Sequence, residues 1–250
     1  MQKNFDSNLK LAQKLNKEGV ILSSVNHLIK DEVLTSSDWK EFAATWRNLP
    51  TDQYMNDGGT YRERRFSRFH LDLNGQNLRQ KEHAPYSQPK HLNPLNGGML
   101  RHFDPMHPQT VGMSIFRKLL ITIGELLGQP GDKPEWDINV YQNRTLASKT
   151  VNGKPVPEGI HRDGVRYSVL LGIGRHNVIG AVSTVFNDDK QPLYTHTVSE
   201  GDLLIFCDEV TYHDTTAVAL ADDSLESGTR DIMVIEFYSA LNNENQYYVK

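Results

Sequence analysis

The sequence predicts a mainly β protein with flanking helices, an α+β fold built on an antiparallel core. Six short segments with strand-like alternation lie between about residues 136 and 240, separated by turn residues and without helices between them. Strands that follow one another in this way form antiparallel sandwiches or barrels. Three amphipathic segments precede them. We therefore expect one domain over 1–250, with helices and loops in 1–135 packed against a β core at 136–240.

The three predicted helices each place their apolar residues on one face. Leu9, Ala12 and Leu15 share a face of Ser7–Glu18, and Gly19 follows as a stop. The second helix begins after Ser36 and Ser37, ends before Pro50, and carries its apolar residues at helical spacing: Trp39, Phe42, Ala43 and Trp46. The third is the most strongly amphipathic and is followed by Gly128 and Pro130; its apolar face comprises Phe116, Leu119, Leu120, Ile123 and Leu127.

The region between the second and third helices, residues 51–110, is long, polar and rich in Gly, Pro and Asn. Such composition predicts loops and short strands. Long loops inside a compact domain are often functional, so we expect this region to act as a lid over an active site.

The predicted strands follow in order, each bounded by turn residues such as Asn187–Asp189 and Glu200–Asp202. They are Ile138–Gln142, Arg166–Ile173, Gly180–Phe186, Leu193–Val198, Asp202–Cys207 and Ile232–Tyr238.

Composition excludes several classes of protein. The single cysteine, Cys207, rules out an internal disulfide and a thiolate metal cluster. A net charge of −4 argues against nucleic-acid binding, and no apolar run is long enough to span a bilayer. With no signal-peptide pattern at the N-terminus, we expect a cytoplasmic protein that acts on a small molecule; the sequence carries no indication of its oligomeric state. The chemistry must then come from histidines, carboxylates or a bound cofactor.

The pattern His-x-Asp occurs three times, at His70, His102 and His161. About one such triplet is expected by chance from the composition, so context must separate them. Only His161–Asp163 directly precedes a predicted strand and is followed about 50 residues later by a histidine in a strand context, His213. Alternate residues of an extended segment point the same way, so His161 and Asp163 can share one metal ion.

Two imidazoles and one carboxylate on one face of an ion leave three positions open, as in the facial triad of non-haem Fe(II) oxygenases. Arg230, at the start of the last strand, offers a bidentate fork for a carboxylate. A 2-oxo acid with a second carboxylate fits this combination. A zinc hydrolase could use the same ligands but does not need the arginine. A cupin-type binding module usually carries His-x-His, which does not occur here, and the remaining alternative is that these are ordinary loop histidines.

These residues resemble a family of bacterial 2-oxoglutarate/Fe(II) dioxygenases that includes the L-isoleucine 4-hydroxylases and related hydroxylases of free amino acids. The resemblance covers about residues 54–240 and is carried by six segments: Asp57–Phe66, Val140–Arg144, Glu158–Gly164, Ser183–Phe186, Tyr212–Thr216 and Gly228–Ile232. One departure is Ile179-Gly180-Ala181, where many relatives have Gly-Gly. The resemblance therefore supports the reaction chemistry more strongly than the identity of the substrate.

The resemblance implies a double-stranded β-helix, or jelly-roll, core and a reaction that uses Fe(II), 2-oxoglutarate and O2. His161, Asp163 and His213 would hold the iron, and Arg230 would bind the distal carboxylate of 2-oxoglutarate. Gln142 is a further candidate for the cosubstrate. Candidates for the substrate carboxylate are Arg62, Arg64, Arg65, Arg144 and Arg166.

Two purely structural alternatives stay open. Gln142 and Arg144 could be an inward polar pair that is satisfied by the backbone, and the Arg62–Arg65 group could form surface salt bridges. The expected reaction is hydroxylation of a small, free, aliphatic L-amino acid. The alternatives are the same chemistry on a carrier-tethered or larger substrate, with residues 51–110 as a docking surface, and a non-catalytic sensor of metal or 2-oxoglutarate.

Overall fold

The computed structural model describes residues 2–29, 32–74, 76–128 and 135–239. Within them the helices are α1 (Gln2–Glu18), α2 (Val25–Ile29), α3 (Ser37–Ala44), α4 (Pro108–Gly112) and α5 (Ser114–Leu127), with 3₁₀ turns at Val33–Thr35 and Thr45–Asn48. The strands are β1 (Val20–Ser24), β2 (Arg62–Asp72), β3 (Asn77–Gln80), β4 (Glu135–Ser148), β5 (Tyr167–His176), β6 (Val178–Gly180), β7 (Val182–Phe186), β8 (Pro192–Thr197), β9 (Asp202–Cys207), β10 (Tyr212–Thr215), β11 (Val218–Leu220) and β12 (Ser227–Ser239).

The strands form one large and two small antiparallel sheets. The large sheet has the order β1-β9-β5-β12-β4-β2-β3, and the small ones are β10-β7-β8 and β11-β6. The fold is therefore mainly β, a jelly-roll core with flanking helices, as predicted. All six predicted strands are present, and the predicted third strand is divided at Ala181, whose φ of 52° interrupts the extended backbone between β6 and β7.

The two faces of the large sheet have different partners, because successive side chains of a strand point to opposite sides. On the central strand β12, Met233, Ile235 and Phe237 belong to the core shared with the helices. Ile232 belongs to a second apolar cluster, facing the sheet β10-β7-β8. Arg230 has the same parity as Ile232, so this arginine is directed into the interior of the jelly roll.

The helices cover the outer face of the large sheet. Ala12 and Leu15 of α1 are buried, and Gly19 ends the helix with a φ of 74°. The Ser36 side chain caps α3 by accepting a hydrogen bond from the Trp39 amide at 3.1 Å. The predicted apolar face of α5 is buried throughout, whereas Pro130, its predicted terminator, lies outside the described residues. No described helix is both long and apolar enough to cross a membrane.

Residues 51–110 contain loops and the short strand β3, as predicted, but also a long strand that was not predicted. The 11-residue strand β2 runs through this region and pairs with β4 along its whole length, from Arg62 opposite Thr145 to Asp72 opposite Glu135. Its pattern is concealed because it is buried on both faces: Phe66 packs on the cavity side and Phe69 on the helix side. The buried arginines at its start, Arg62 and Arg64, also interrupt the apolar pattern by which a strand is recognised in a sequence. The short edge strand β1 was also not predicted; it pairs with β9.

Candidate metal centre and ligand cavity

The fold brings the three predicted metal ligands together. His161 lies in the loop before β5 and His213 on β10, and their backbones form an isolated antiparallel pair. Each amide donates to the other residue's carbonyl oxygen, at 3.1 Å and 2.9 Å. Directly opposed residues of an antiparallel pair project their side chains to the same side. The two imidazole rings consequently lie with their centroids 4.2 Å apart.

Asp163 completes the cluster. One carboxylate oxygen lies 3.4 Å from His161 Nε2 and the other 3.6 Å from His213 Nε2. One potential ligand atom from each of the three residues lies within 4.8 Å of the others. Two atoms bound to one ion at about 2.1 Å lie roughly 3–4 Å apart, so the group has the spacing that a single first-row metal ion requires.

Hydrogen bonds orient two of these ligands. His161 Nδ1 lies 2.9 Å from the carbonyl oxygen of Gly159, which can only accept, so Nδ1 carries a hydrogen and Nε2 is the nitrogen that faces Asp163 and is available to a metal. Ser168 Oγ donates to Asp163 Oδ2 at 2.8 Å. These contacts direct the lone pairs toward the centre of the cluster.

A buried carboxylate holds the turn that presents Asp163. Asp208 accepts hydrogen bonds from the amides of residues 163, 164 and 165, at 3.0, 2.8 and 3.1 Å. Gly164 has a φ of 81°, and a Cβ there would lie 2.3 Å from Leu92 Cδ1. The left-handed backbone therefore favours glycine at this position, and any larger residue would also displace the end of the Leu92 side chain.

The cluster holds a proton when no metal is bound. Burial disfavours a charged His161, but the Asp163 carboxylate outweighs this and raises the pKa of His161 to about 9. Burial, followed by repulsion from His161, lowers the pKa of His213 to about 3. Burial raises the pKa of Asp163, yet the two histidines reverse this and hold it below its ordinary range. One imidazolium beside one carboxylate is thus the state that a metal ion must displace.

These ligands open into a cavity of about 830 Å³, counting the space at its mouth, inside the jelly roll. Arg230 lines this cavity and is only 5 % exposed. Its Nε is buried without a hydrogen-bond partner in the described part of the chain. Burial, with repulsion from Arg175, lowers the pKa of Arg230 to about 9. A buried guanidinium without a counter-ion is costly, so the geometry favours an anionic ligand there.

The same sheet carries Arg62 and Arg64 on β2, and both line the cavity; Arg62 and Arg230 flank Thr145 of β4 from its two sides. The two share one carboxylate, Asp52, at N–O distances of 2.8 Å and 3.1 Å. All three are buried, so the alternative of surface salt bridges does not describe Arg62 and Arg64. The Arg64 guanidinium also lies 4.9 Å from the centroid of the Phe103 ring, a cation–π distance.

The structure does not bring four of the predicted residues to this cavity. Gln142 and Arg144 lie on the opposite face of β4: Gln142 donates to Thr45 Oγ1 at 2.9 Å, and Arg144 makes a bidentate pair with Asp231. Arg65 has the opposite parity to Arg64 and donates to the Pro105 carbonyl oxygen. The guanidinium of Arg166 lies 5.7 Å from the Trp136 ring. The prediction assigned the wrong face of β4 to the cavity. Alternation along a strand shows that Gln142 and Arg144 share a face, but it does not show which face is the inner one.

The residues that do face the cavity include several that sequence reasoning missed. On β4 they are Tyr141, Asn143 and Thr145. Thr145 stands opposite Arg230 in the β4–β12 register, so knowledge of this pairing would have set the correct phase. From the loop after β3 come Tyr86, Gln88, Asn93 and Arg101, and from the segment before His161 comes Glu158. Residues 86–101 thus form part of the cavity wall.

Comparison with solved structures shows the same fold in several proteins. A bsmA homolog from Methylobium petroleophilum PM1 is 27% identical with a TM-score of 0.82, over 93% of each chain. IDO from Bacillus thuringiensis is 17% identical with a TM-score of 0.76, over 94% of this chain and 96% of that one. The Fe(II)/(alpha)ketoglutarate-dependent dioxygenase TqaL is 18% identical with a TM-score of 0.71, over 95% and 89%. No curated protein matches the sequence.

The family comparison is more specific than the fold. The model of the 2OG-Fe dioxygenase family matches residues 43–236, which is well over half of the chain and includes the His-Asp-His cluster and Arg230. Enzymes of this family use Fe(II), 2-oxoglutarate and O2. On the strength of this match, the chain belongs to the 2OG-Fe dioxygenase family.

Proposed function

We propose that this protein oxidises an unactivated C–H bond of a small, free, aliphatic L-amino acid, with hydroxylation as the outcome and succinate and CO2 as the co-products of 2-oxoglutarate. In this proposal His161, Asp163 and His213 hold Fe(II). Arg230 binds the distal carboxylate of 2-oxoglutarate.

The observation that carries the proposal is the position of Arg230 in the same cavity as the ligand cluster. A structural metal site would have no need of a buried guanidinium whose Nε lacks a partner. A dicarboxylate that chelates the metal at one end can neutralise this charge at the other. The occurrence of both features in one cavity, three ligands that leave coordination positions free and an arginine without an ion-pair partner, thus supports a 2-oxo dicarboxylate as cosubstrate.

The bound iron and 2-oxoglutarate supply the oxidising chemistry, and the protein supplies orientation and shielding. His161 and Asp163 are held by Gly159 and Ser168, so little reorganisation is needed when the metal binds. Apolar side chains line the cavity near Arg230 and keep bulk water from the reacting bond: Leu170, Ile232 and Val234.

Two observations support an amino acid as substrate. The sequence resembles hydroxylases of free amino acids in the segments that contain the metal ligands. The cavity wall formed by Arg62 and Arg64 is cationic and suits a carboxylate-bearing molecule.

The test is a panel of free L-amino acids incubated with the protein, Fe(II), 2-oxoglutarate and air. We expect at least one to accelerate succinate formation and to gain the mass of one oxygen atom. Loss of two hydrogens in place of that gain would change the outcome to desaturation or ring closure. If no free amino acid stimulates turnover while the same residue loaded on a carrier protein does, the free-substrate proposal is wrong.

We also infer that the protein acts in the cytoplasm, on a small molecule and not on nucleic acid. The support is its composition: one cysteine and a net charge of −4. Fractionation of the native cell checks this inference, which fails if the protein is recovered from an oxidising compartment.

A further inference from the structure

Two charged groups in the cavity lack an ion-pair partner among the described residues once a metal occupies His161, whose Nε2, at 4.0 Å, is otherwise the cationic atom nearest to Glu158. Arg101 is 2 % exposed, and no carboxylate of the described residues lies within ion-pair distance of it. Its Nε is buried without a hydrogen-bond partner. Glu158 has a side chain that is 10 % exposed, and its Oε2 is likewise buried and unpartnered. Arg62 and Arg64 differ from these two because they already share Asp52.

A chain of amide hydrogen bonds fixes these groups relative to each other. Arg101 Nη2 donates to Gln88 Oε1 at 2.9 Å, and Asn93 Nδ2 donates to the same oxygen at 3.1 Å. Asn93 Nδ2 also donates to Glu158 Oε1 at 3.0 Å. The neutral amides of Gln88 and Asn93 therefore connect a cation to an anion without neutralising either. The Arg101 guanidinium is also stacked 4.6 Å from the Tyr86 ring centroid, which fixes its plane.

This arrangement lies beside the metal ligands. Glu158 Oε1 is 4.0 Å from His161 Nε2, and Gln88 Nε2 is 3.5 Å from the carbonyl oxygen of Asp163. All of these side chains line the same cavity as Arg230. A molecule bound between Arg101 and Glu158 is thus held next to the metal ligands by loop residues, whereas the arginine assigned to 2-oxoglutarate belongs to β12.

We propose that Arg101 and Glu158 are the head-group receptor for the substrate: Arg101 binds the α-carboxylate and Glu158 the α-ammonium of a free amino acid. The proposal rests on the proposed function and deepens it, because it specifies a zwitterion with both groups unblocked. Once a metal has displaced the proton of His161, the buried Arg101 and Glu158 charges have no ion-pair partner among the described residues, which is costly, and a zwitterion compensates both at once. An N-acylated residue lacks the ammonium, and a carrier-bound thioester lacks the carboxylate.

The experiment measures binding, independently of turnover. Each L-amino acid that accelerates succinate formation or binds by calorimetry is compared with its N-acetyl and carboxamide forms, on protein loaded with Ni(II) and 2-oxoglutarate. For the wild type we expect each blocked form to bind about 10- to 150-fold more weakly, the range for a hydrogen bond to a charged group. This comparison needs no variant and overturns the proposal if both blocked forms bind as well as the free amino acid, or if no free L-amino acid binds.

Two variants assign the roles. Glu158→Gln should reduce the preference for the free amine over the N-acetyl form to a few-fold while keeping the preference for the carboxylate. Arg101→Gln should do the reverse. The matched controls are Glu226→Gln, which removes an exposed partner of Lys149, and Arg65→Gln, outside the cavity; both should keep both preferences. Unchanged preferences in the two cavity variants would contradict the assignment.

Failure here is distinguishable from failure of the proposed function. Fe(II)-dependent formation of succinate from 2-oxoglutarate without a second substrate reports the cosubstrate chemistry alone. If this slow reaction occurs and the head-group preferences do not, the enzyme class stands and the receptor assignment falls. If folded, metal-loaded protein forms no succinate with or without any amino acid, and amino acids still bind with both preferences, the receptor assignment stands and the proposed reaction falls.

Discussion

At the scale of single residues, the proposed binding of the distal carboxylate of 2-oxoglutarate depends on Arg230. It extends from the inner face of β12, is almost fully buried and has an unpartnered Nε. Its charge is maintained near neutral pH although burial lowers its pKa to about 9. The guanidinium is therefore a fixed positive charge that only a ligand can pair.

Replacing Arg230 tests this role. Arg230→Gln should raise the KM for 2-oxoglutarate by about 10- to 150-fold, since a charge-assisted hydrogen bond is worth about 1.5–3 kcal/mol. Metal affinity should change little. Arg166→Gln is the matched control, because Arg166 lies over Trp136 and away from the cavity, and it should keep the wild-type KM. An unchanged KM in Arg230→Gln would remove this residue from the cosubstrate site.

Protonation of His161 predicts how metal binding depends on pH. The pKa of His161 is raised to about 9 in the metal-free protein, so below pH 9 a metal ion must displace one proton. Apparent affinity for Co(II) should therefore fall by up to about tenfold for each pH unit between 8.5 and 6.5, as mass action for one proton requires. Above pH 9 His161 is already neutral, so its proton no longer makes metal affinity depend on pH.

Calorimetry in buffers of different ionisation enthalpy measures the proton released on binding. His196→Gln is the control, because His196 pairs with Asp202 outside the metal cluster and its loss should leave the slope intact. An affinity that is flat from pH 6.5 to 8.5, with no proton release, would contradict the protonated state of the metal-free site.

At the scale of elements, the phase of β4 decides which side chains can meet a ligand. Tyr141, Asn143 and Thr145 face the cavity, whereas Gln142 and Arg144 face α3 and the outer surface. A shift of one residue exchanges the two sets, since the side-chain period of a strand is two.

Adjacent residues on β4 should therefore behave differently. Asn143 lines the cavity and its buried Oδ1 has no partner, so Asn143→Ala should raise the KM for the cosubstrate or substrate about two- to tenfold. Gln142→Ala removes the bond to Thr45 and should lower the free energy of unfolding by about 1 kcal/mol without changing either KM. Steady-state kinetics and urea unfolding of the two variants measure this contrast. The opposite result would mean that Gln142, not Asn143, faces the ligand.

The sequence predicts the elements and the metal ligands better than the cavity wall. His161, Asp163 and His213 were identifiable because their spacing and strand context differ from those of His70 and His102. Arg101 and Glu158 were not, because only the folded chain brings them to one cavity and shows that Arg101 Nε and Glu158 Oε2 are buried without a hydrogen-bond partner. The strand β2 was missed because it begins with charged residues, Arg62 and Arg64, that are buried in the structure. Their ion pairs with Asp52 make this burial possible, and the local sequence does not indicate such pairs.

At the scale of the whole molecule, the helices support the large sheet from outside while the cavity lies on its other face. Phe42 of α3 is fully buried and packs edge-on against Trp46, with ring centroids 5.3 Å apart. Both belong to the core shared with β4, β5 and β12. Stability and ligand binding therefore rely on opposite faces of one sheet.

This division predicts that the outer core can be weakened without changing the metal centre. Phe42→Ala should lower the free energy of unfolding by about 3–5 kcal/mol, the usual cost of removing a buried phenyl ring. Co(II) affinity of the folded fraction should stay within about twofold of the wild type, since the cluster and Phe42 share no contact. Chemical denaturation and metal titration at low temperature measure the two quantities. A parallel loss of metal affinity would show that the two faces are coupled.

The most direct test of the account is the stoichiometry of succinate formation in air with Fe(II), 2-oxoglutarate and a stimulating amino acid. For the wild type we predict one succinate for each 2-oxoglutarate consumed and one oxidised amino acid for each succinate. Asp163→Ala, shown to be folded, should form none. Consumption of no 2-oxoglutarate by the folded wild type, or full turnover by Asp163→Ala, would contradict the proposal that this cluster binds the iron of a 2-oxoglutarate-dependent oxygenase.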